Sequence, residues 1–137
     1  MTDKEIRNKE VVLRFNREVL ENGNTEAIHE IIHPDFINYT APGTAPGPQG
    51  IIDFTIKIMH KSLTDITVEI HDQVFEDDKV VTRKTINGTH IGNFLGVAPS
   101  GKKVKINIID IITLKDGKYT DHWSIRDIQD MINKSSN

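Results

Sequence analysis

The apolar positions of this chain change period near its middle. In the first part they recur at helical spacing. Val12, Phe15 and Val19 form one stripe, with Ile6 and Leu20 beside it and charged residues between. Asn22-Gly23-Asn24 stops this helix, because Gly and Asn tolerate the left-handed conformation that closes helix ends. Thr25 or Asn24 caps a second helix carrying Ala27, Ile28, Ile31 and Ile32, which ends before Pro34. Phe36 to Tyr39 suits a short strand, and the Pro- and Gly-rich stretch Ala41 to Gly50 reads as loop. A third helix follows, with Ile51, Phe54, Ile58 and Met59 on one stripe.

From Asp65 onward the period is two. Strands are predicted over Thr67–Val74, Lys79–Ile91, Val104–Leu114 and Tyr119 to about Asp127. Asp77-Asp78 and Asp116-Gly117 supply hairpin turns, and Gly92 to Lys103 forms a longer connection. Ile128 to Asn133 adds a final helical turn. Helices first and hairpin-linked strands after is α+β order. The expected architecture is one domain, residues 1–137, in which a curved, mainly antiparallel sheet wraps about three N-terminal helices as a cone-shaped barrel. The Ala41–Gly50 loop, stiffened by prolines, is expected to border the mouth of the cone.

One strand carries a chemical anomaly. Val104, Ile106, Ile108, Asp110, Ile112 and Leu114 share a face, so a single carboxylate points where the isoleucines point. Burying an ionised carboxylate costs several kcal/mol unless it is paired or hydrogen-bonded. Either a nearby donor satisfies it structurally, or it belongs to a pocket that tunes it for acid–base work. Both readings are open on periodicity alone.

Composition narrows the function classes. The formal net charge of −3 argues against nucleic acid as the partner, and the cluster Lys102, Lys103 and Lys105 reads as the solvated start of a strand. The absence of cysteine excludes disulfides and thiolate chemistry. No apolar run approaches the roughly 20 residues of a membrane span. The charged start Met1-Thr2-Asp3-Lys4-Glu5 lacks the apolar segment of a secretory signal, so a cytoplasmic domain is expected. His29, His33, His60 and His71 show no common metal-ligand spacing, and no metal is expected.

Several segments then act together: His33-Pro34-Asp35-Phe36-Ile37-Asn38, Gly88-Thr89-His90-Ile91-Gly92, Leu95 to Lys103, Asp116-Gly117-Lys118 and Asp121-His122-Trp123. In this order and spacing the chain resembles the SnoaL-like polyketide cyclases of the nuclear-transport-factor-2-like superfamily. The resemblance implies a cone-shaped α+β barrel with one deep pocket, usually a homodimer through the outer sheet face. It also implies intramolecular aldol ring closure by an aspartate acid/base, without cofactor or metal. Counted from Asp116-Gly117-Lys118, that aspartate falls on Ser124, and a pocket histidine of the family falls on Asp110. A serine hydroxyl does not accept a proton without an adjacent base, so the family mechanism does not transfer residue by residue.

Strand parity decides which neighbours face the pocket. The resemblance turns Thr120, His122, Ser124 and Arg126 inward and Tyr119, Asp121, Trp123, Ile125 and Asp127 outward. Hydropathy alone would choose the opposite register. In the first register Asp110 and His122 lie almost opposite across a hairpin, within reach of a carboxylate–imidazole hydrogen bond that would keep the ring basic. They are the candidate catalytic residues, with a structural buried ion pair as the alternative; Arg83 is a rival partner for Asp110. Candidate substrate contacts are Asn38, which matches a pocket asparagine of the family, together with His90, Ser124 and Phe15. Asn38 as a local turn former and His90 as a loop anchor are the plainer alternatives. Phe36, Phe54 and Phe94 read with Phe15 as core or pocket wall.

Two functions fit. One is a cofactor-independent enzyme that moves protons on a carbonyl-bearing apolar substrate, as an aldol cyclase, isomerase or hydrolase. The other is a non-catalytic pocket protein for an apolar small ligand. A homodimer is expected in either case, because Ile109, Ile111 and Trp123 crowd the face opposite Asp110.

Overall fold

The computed structural model describes residues 1–127. The final helical turn expected over 128–133 lies outside them. Helix α1, Asp3–Arg14, opens on a capping box in which Thr2 and Glu5 exchange side-chain bonds with each other's backbone N–H. It runs on without a break as a widened, π-helical stretch, Phe15–Glu21. Asn24 caps α2, Thr25–Ile31, by accepting from the N–H groups of Glu26 and Ala27. Strand β1, Ile32–Asn38, follows directly and is longer than its apolar core suggests. Helix α3, Pro48–Ile51, starts on a proline and also widens, over Ile52–Met59, before a last turn at His60–Ser62.

Four long strands follow among the described residues: β2 Leu63–Glu76, β3 Lys79–His90, β4 Lys103–Lys115 and β5 Lys118–Arg126. Among the described residues the strands form one sheet in the order β1-β5-β4-β3-β2. All neighbours are antiparallel except β1 and β5, which run parallel. The α+β fold therefore matches the expected one, with a mainly antiparallel sheet against three helices. Asp116 and Gly117 both take positive φ, as the two-residue turn joining β4 to β5 requires.

The core lies between the inner sheet face and the helices. Val12, Val19, Ile28 and Ile31 pack from the helices against Val80, Ile106 and Ile112 from the strands. Buried and exposed residues alternate from Lys103 to Asp110 along β4, so Asp110 is buried on the inner face as the pattern requires. On the outer face Ile109, Ile111, Trp123 and Ile125 are exposed, Ile125 at 80% of its surface. Among the described residues no helix is long and apolar enough to cross a membrane.

Candidate active site

The cone is not completely filled. A cavity of about 130 Å³, open to the centre of a water molecule, runs between the helices and the inner face of β3, β4 and β5. Its walls are apolar, with Phe15, Leu20, Phe54, Met59 and Ile108 among them. Both widened helical segments contribute, and such insertions are frequent at functional sites. Ala41, Thr44 and Gly50 bring the proline-rich loop to the cavity.

The polar groups converge on one side. Lys84 Nζ lies 3.0 Å from Asp110 Oδ2, with the two side chains 4% and 7% exposed. Lys84 also donates to Asn16 Oδ1 at 2.8 Å, and Asn16 Nδ2 donates to the Val12 carbonyl at 2.8 Å. The chain of bonds thus ties β4 through β3 to the point where α1 widens. It explains how a lysine and a carboxylate coexist in an apolar interior: each charge meets its opposite at close range. Asp110 Oδ1 and the Ser124 hydroxyl have no hydrogen-bond partner among the described residues. The two residues face each other on one rung of the β4–β5 ladder.

His122 Nε2 is 4.0 Å from Asp110 Oδ2, too far for a hydrogen bond. Its ring stacks on Phe36 at 6.3 Å between centroids. Burial lowers the imidazole pKa from its ordinary 6.5 to about 4; Asp110 pulls it up, and Lys84 and Arg126 push it further down. At neutral pH the ring is neutral. Tyr119, fully buried and 4.8 Å from the Phe15 ring, has its phenol pushed well above 10, first by burial and then by the Asp110 charge.

The geometry revises several sequence expectations. Ile112, not Asp110, stands directly opposite His122, so the aspartate and histidine are diagonal neighbours. The expected carboxylate–imidazole bond is absent, and the ring is not held basic near neutrality. Arg83 is not the partner of Asp110: it points to the other face and pairs with Asp72 at 2.7 Å. Lys84 takes that role. His122, Ser124 and Arg126 line the cavity and Trp123 and Ile125 face out, but the alternation fails at the start of β5. Leu114 pairs with Tyr119 and Thr113 with Asp121, so Thr120 is an extra residue in a bulge. Tyr119 consequently turns inward and lines the cavity, where strict alternation put Thr120.

Of the expected substrate contacts, Phe15, Asn38 and Ser124 line the cavity. Asn38 also forms a local turn, its Oδ1 accepting from the Thr40 N–H at 3.1 Å. His90 does not line the cavity. It is buried at the end of β3, with Nδ1 3.3 Å from the Ser100 hydroxyl and its ring edge-on to Phe94, where it anchors the connection to β4. Sequence reasoning missed Lys84, Asn16 and Tyr119. Lys84 had a signal, since it interrupts the inward-facing run Val80, Thr82, Lys84, Ile86 much as Asp110 interrupts its own strand.

A helix-backed, curved and mainly antiparallel sheet enclosing an apolar cavity, with buried ionisable groups at one side, places the protein in the cone-shaped α+β class. The family model of SnoaL-like polyketide cyclases matches residues 10–133, and the chain belongs to that family. It is 26% identical over 119 residues to the aklanonic acid methyl ester cyclase AcmA of Streptomyces galilaeus, covering 82% of this chain and 79% of that protein. A crystallised SnoaL-like protein from Jannaschia sp. CCS1 superposes with a TM-score of 0.87 at 26% identity, covering 99% of this chain and 96% of its own. TsrD from Streptomyces laurentii gives a TM-score of 0.86 at 22% identity, covering 100% and 98% respectively, and shares the fold.

Proposed function

We propose that the protein is a cofactor-independent cyclase acting on a carbonyl-bearing, largely apolar substrate, with Asp110 as the group that moves the proton. One observation carries the reading. The carboxylate lines the cavity, is held on one oxygen by Lys84, and faces Ser124 across a single rung of the ladder. The position where the family's aspartate falls is thus occupied by serine, and a carboxylate stands directly across on the adjacent strand, roughly 5 Å away at Cβ. Acid–base capacity has moved one strand over without leaving the cavity.

In this mechanism Asp110 takes a proton from a carbon next to a carbonyl. Carboxylates serve as bases for such carbon acids when the enolate oxygen is stabilised. An ammonium has three donors, and Asn16 and Asp110 occupy two on Lys84; the third has no partner among the described residues and serves the enolate oxygen. His122, neutral at working pH, offers a hydrogen bond without a competing charge. The enolate carbon attacks a second carbonyl of the same molecule, forming the ring bond. The resulting alkoxide recovers the proton from Asp110, so no atom is lost or gained. The apolar walls keep water from the enolate and fold the substrate on itself.

The test is incubation with aklanonic acid methyl ester, the compound named for the relatives, and in parallel with the free acid, in D₂O, following ring closure and deuterium uptake next to the carbonyl by mass spectrometry and NMR. Asp110→Asn should lose on the order of a hundred- to ten-thousandfold in either reaction. Equal rates for the variant and the parent protein would overturn the role of Asp110. Ligand binding without exchange in either protein would favour a cavity that only binds.

The same reading includes a homodimer. It is supported by the exposed outer face of Ile109, Ile111, Trp123 and Ile125, extended by Tyr39, whose ring stacks on Trp123 at 4.9 Å. An isoleucine as exposed as Ile125 in the middle of such a patch is costly to leave in water. Sedimentation at micromolar concentration should give twice the chain mass, and Ile125→Glu should give the monomer. A parent protein that sediments as a monomer refutes it.

A further inference from the structure

Among the described residues three charged side chains line the cavity: Lys84, Asp110 and Arg126. Lys84 and Asp110 cancel each other at 3.0 Å. Arg126 has no such partner and forms no ion pair among the described residues. The neighbouring acid, Asp127, is engaged elsewhere, accepting from the backbone N–H and side-chain amide of Asn107. The Arg126 guanidinium lies 5.2 Å from the centre of the Phe54 ring, which fixes its position without neutralising it. Burial disfavours its charge and lowers its pKa, yet an arginine stays protonated at any working pH. Among the described residues the cavity therefore holds one positive charge without an opposite partner.

We propose that Arg126 is a specificity residue that receives a carboxylate on the substrate. This rests on the cavity being the substrate site, as argued above, and it adds the charge class of the molecule. Arg126 stands opposite Ile108, two residues beyond Ser124 on the same face of β5. Two residues along a strand cover about 6.6 Å, so the carboxylate would sit one step from the rung where Asp110 works. An uncharged ligand that seals the cavity strips water from the guanidinium and returns nothing. A carboxylate returns a charge-assisted, bidentate hydrogen bond, for which the guanidinium fork is shaped. The substrate is thus an apolar carbonyl compound with an acid group at one end, and the reaction occurs several bonds from that end.

The probes are 2-naphthoate and its methyl ester, titrated at low ionic strength into isotope-labelled protein and followed by amide chemical shifts of the cavity residues. The acid should bind at least about tenfold tighter than the ester, as a desolvated ion pair requires. Arg126→Gln should bring the two within about twofold by weakening the acid alone, and Arg126→Lys should keep part of the preference. The comparison of acid with ester in the parent protein stands even where a variant fails to fold. If the ester binds in the cavity as tightly as the acid, or the preference survives in Arg126→Gln, the role of Arg126 is refuted and the cavity reading stands. If neither probe moves any cavity residue, both fall together.

Discussion

The neutral histidine makes a prediction whose size can be worked out. His122 titrates near 6.5 in an unfolded chain and near 4 in the fold, because burial outweighs the pull of Asp110. Between those values the unfolded state holds the extra proton. Falling pH therefore draws the equilibrium towards unfolding, and stability rises with pH across the same window. The contribution is intact above about 6.5, is lost progressively on the way down, and is fully gone below about 4. By pH 5 the loss is about 2 kcal/mol, and the full window corresponds to about 3 kcal/mol. His122→Gln removes the titration and keeps a polar side chain of similar reach. Urea unfolding of the parent and variant from pH 4.5 to 7.5 isolates the histidine, because the carboxylates that titrate in both proteins cancel in the difference. The parent should lose about 2 kcal/mol more than the variant between pH 7.5 and 5. An imidazole midpoint near 6.5 by NMR, or a difference flat in pH, would refute the reasoning that burial governs this ring.

Lys84→Met should cost about 3–5 kcal/mol in urea unfolding, since it strands a buried carboxylate and takes the donor from Asn16 Oδ1. Adding Asp110→Leu should recover most of that loss, and a double variant no more stable than the single one would contradict the pairing. At the mouth, a Cβ on Gly50 would lie 2.2 Å from the Ala45 carbonyl and 2.6 Å from the Thr44 methyl. Gly50→Ala should therefore displace the Ala41–Gly50 loop and cost about 1–3 kcal/mol in thermal or urea unfolding; an unchanged midpoint would show that the loop yields freely.

Much of the fold was legible because it depends on local rules. Alternation along residues 104–114 placed Asp110 on the inner face, since a strand has only two faces and five apolar neighbours chose one. Asn24 announced a helix start and Asp116-Gly117 a hairpin, because each supplies a bond or a backbone conformation that few other residues supply. What the sequence could not decide was contact between elements distant in the chain. Lys84 and Asp110 are 26 positions apart, and Asn16 lies on a helix 68 positions from Lys84; only the order of strands and the seat of α1 bring the three together. Arg83 and Lys84 are adjacent cations with equal claim on Asp110 by composition, and one step of the pleat sends Arg83 to Asp72 on the outside. The bulge at Thr120 likewise has no sequence marker, yet it turns Tyr119 into the cavity. Local periodicity thus determined which face each group lies on. Tertiary packing alone decided its partner, its protonation and whether it meets the cavity, because those depend on distances through space that the order of residues does not encode.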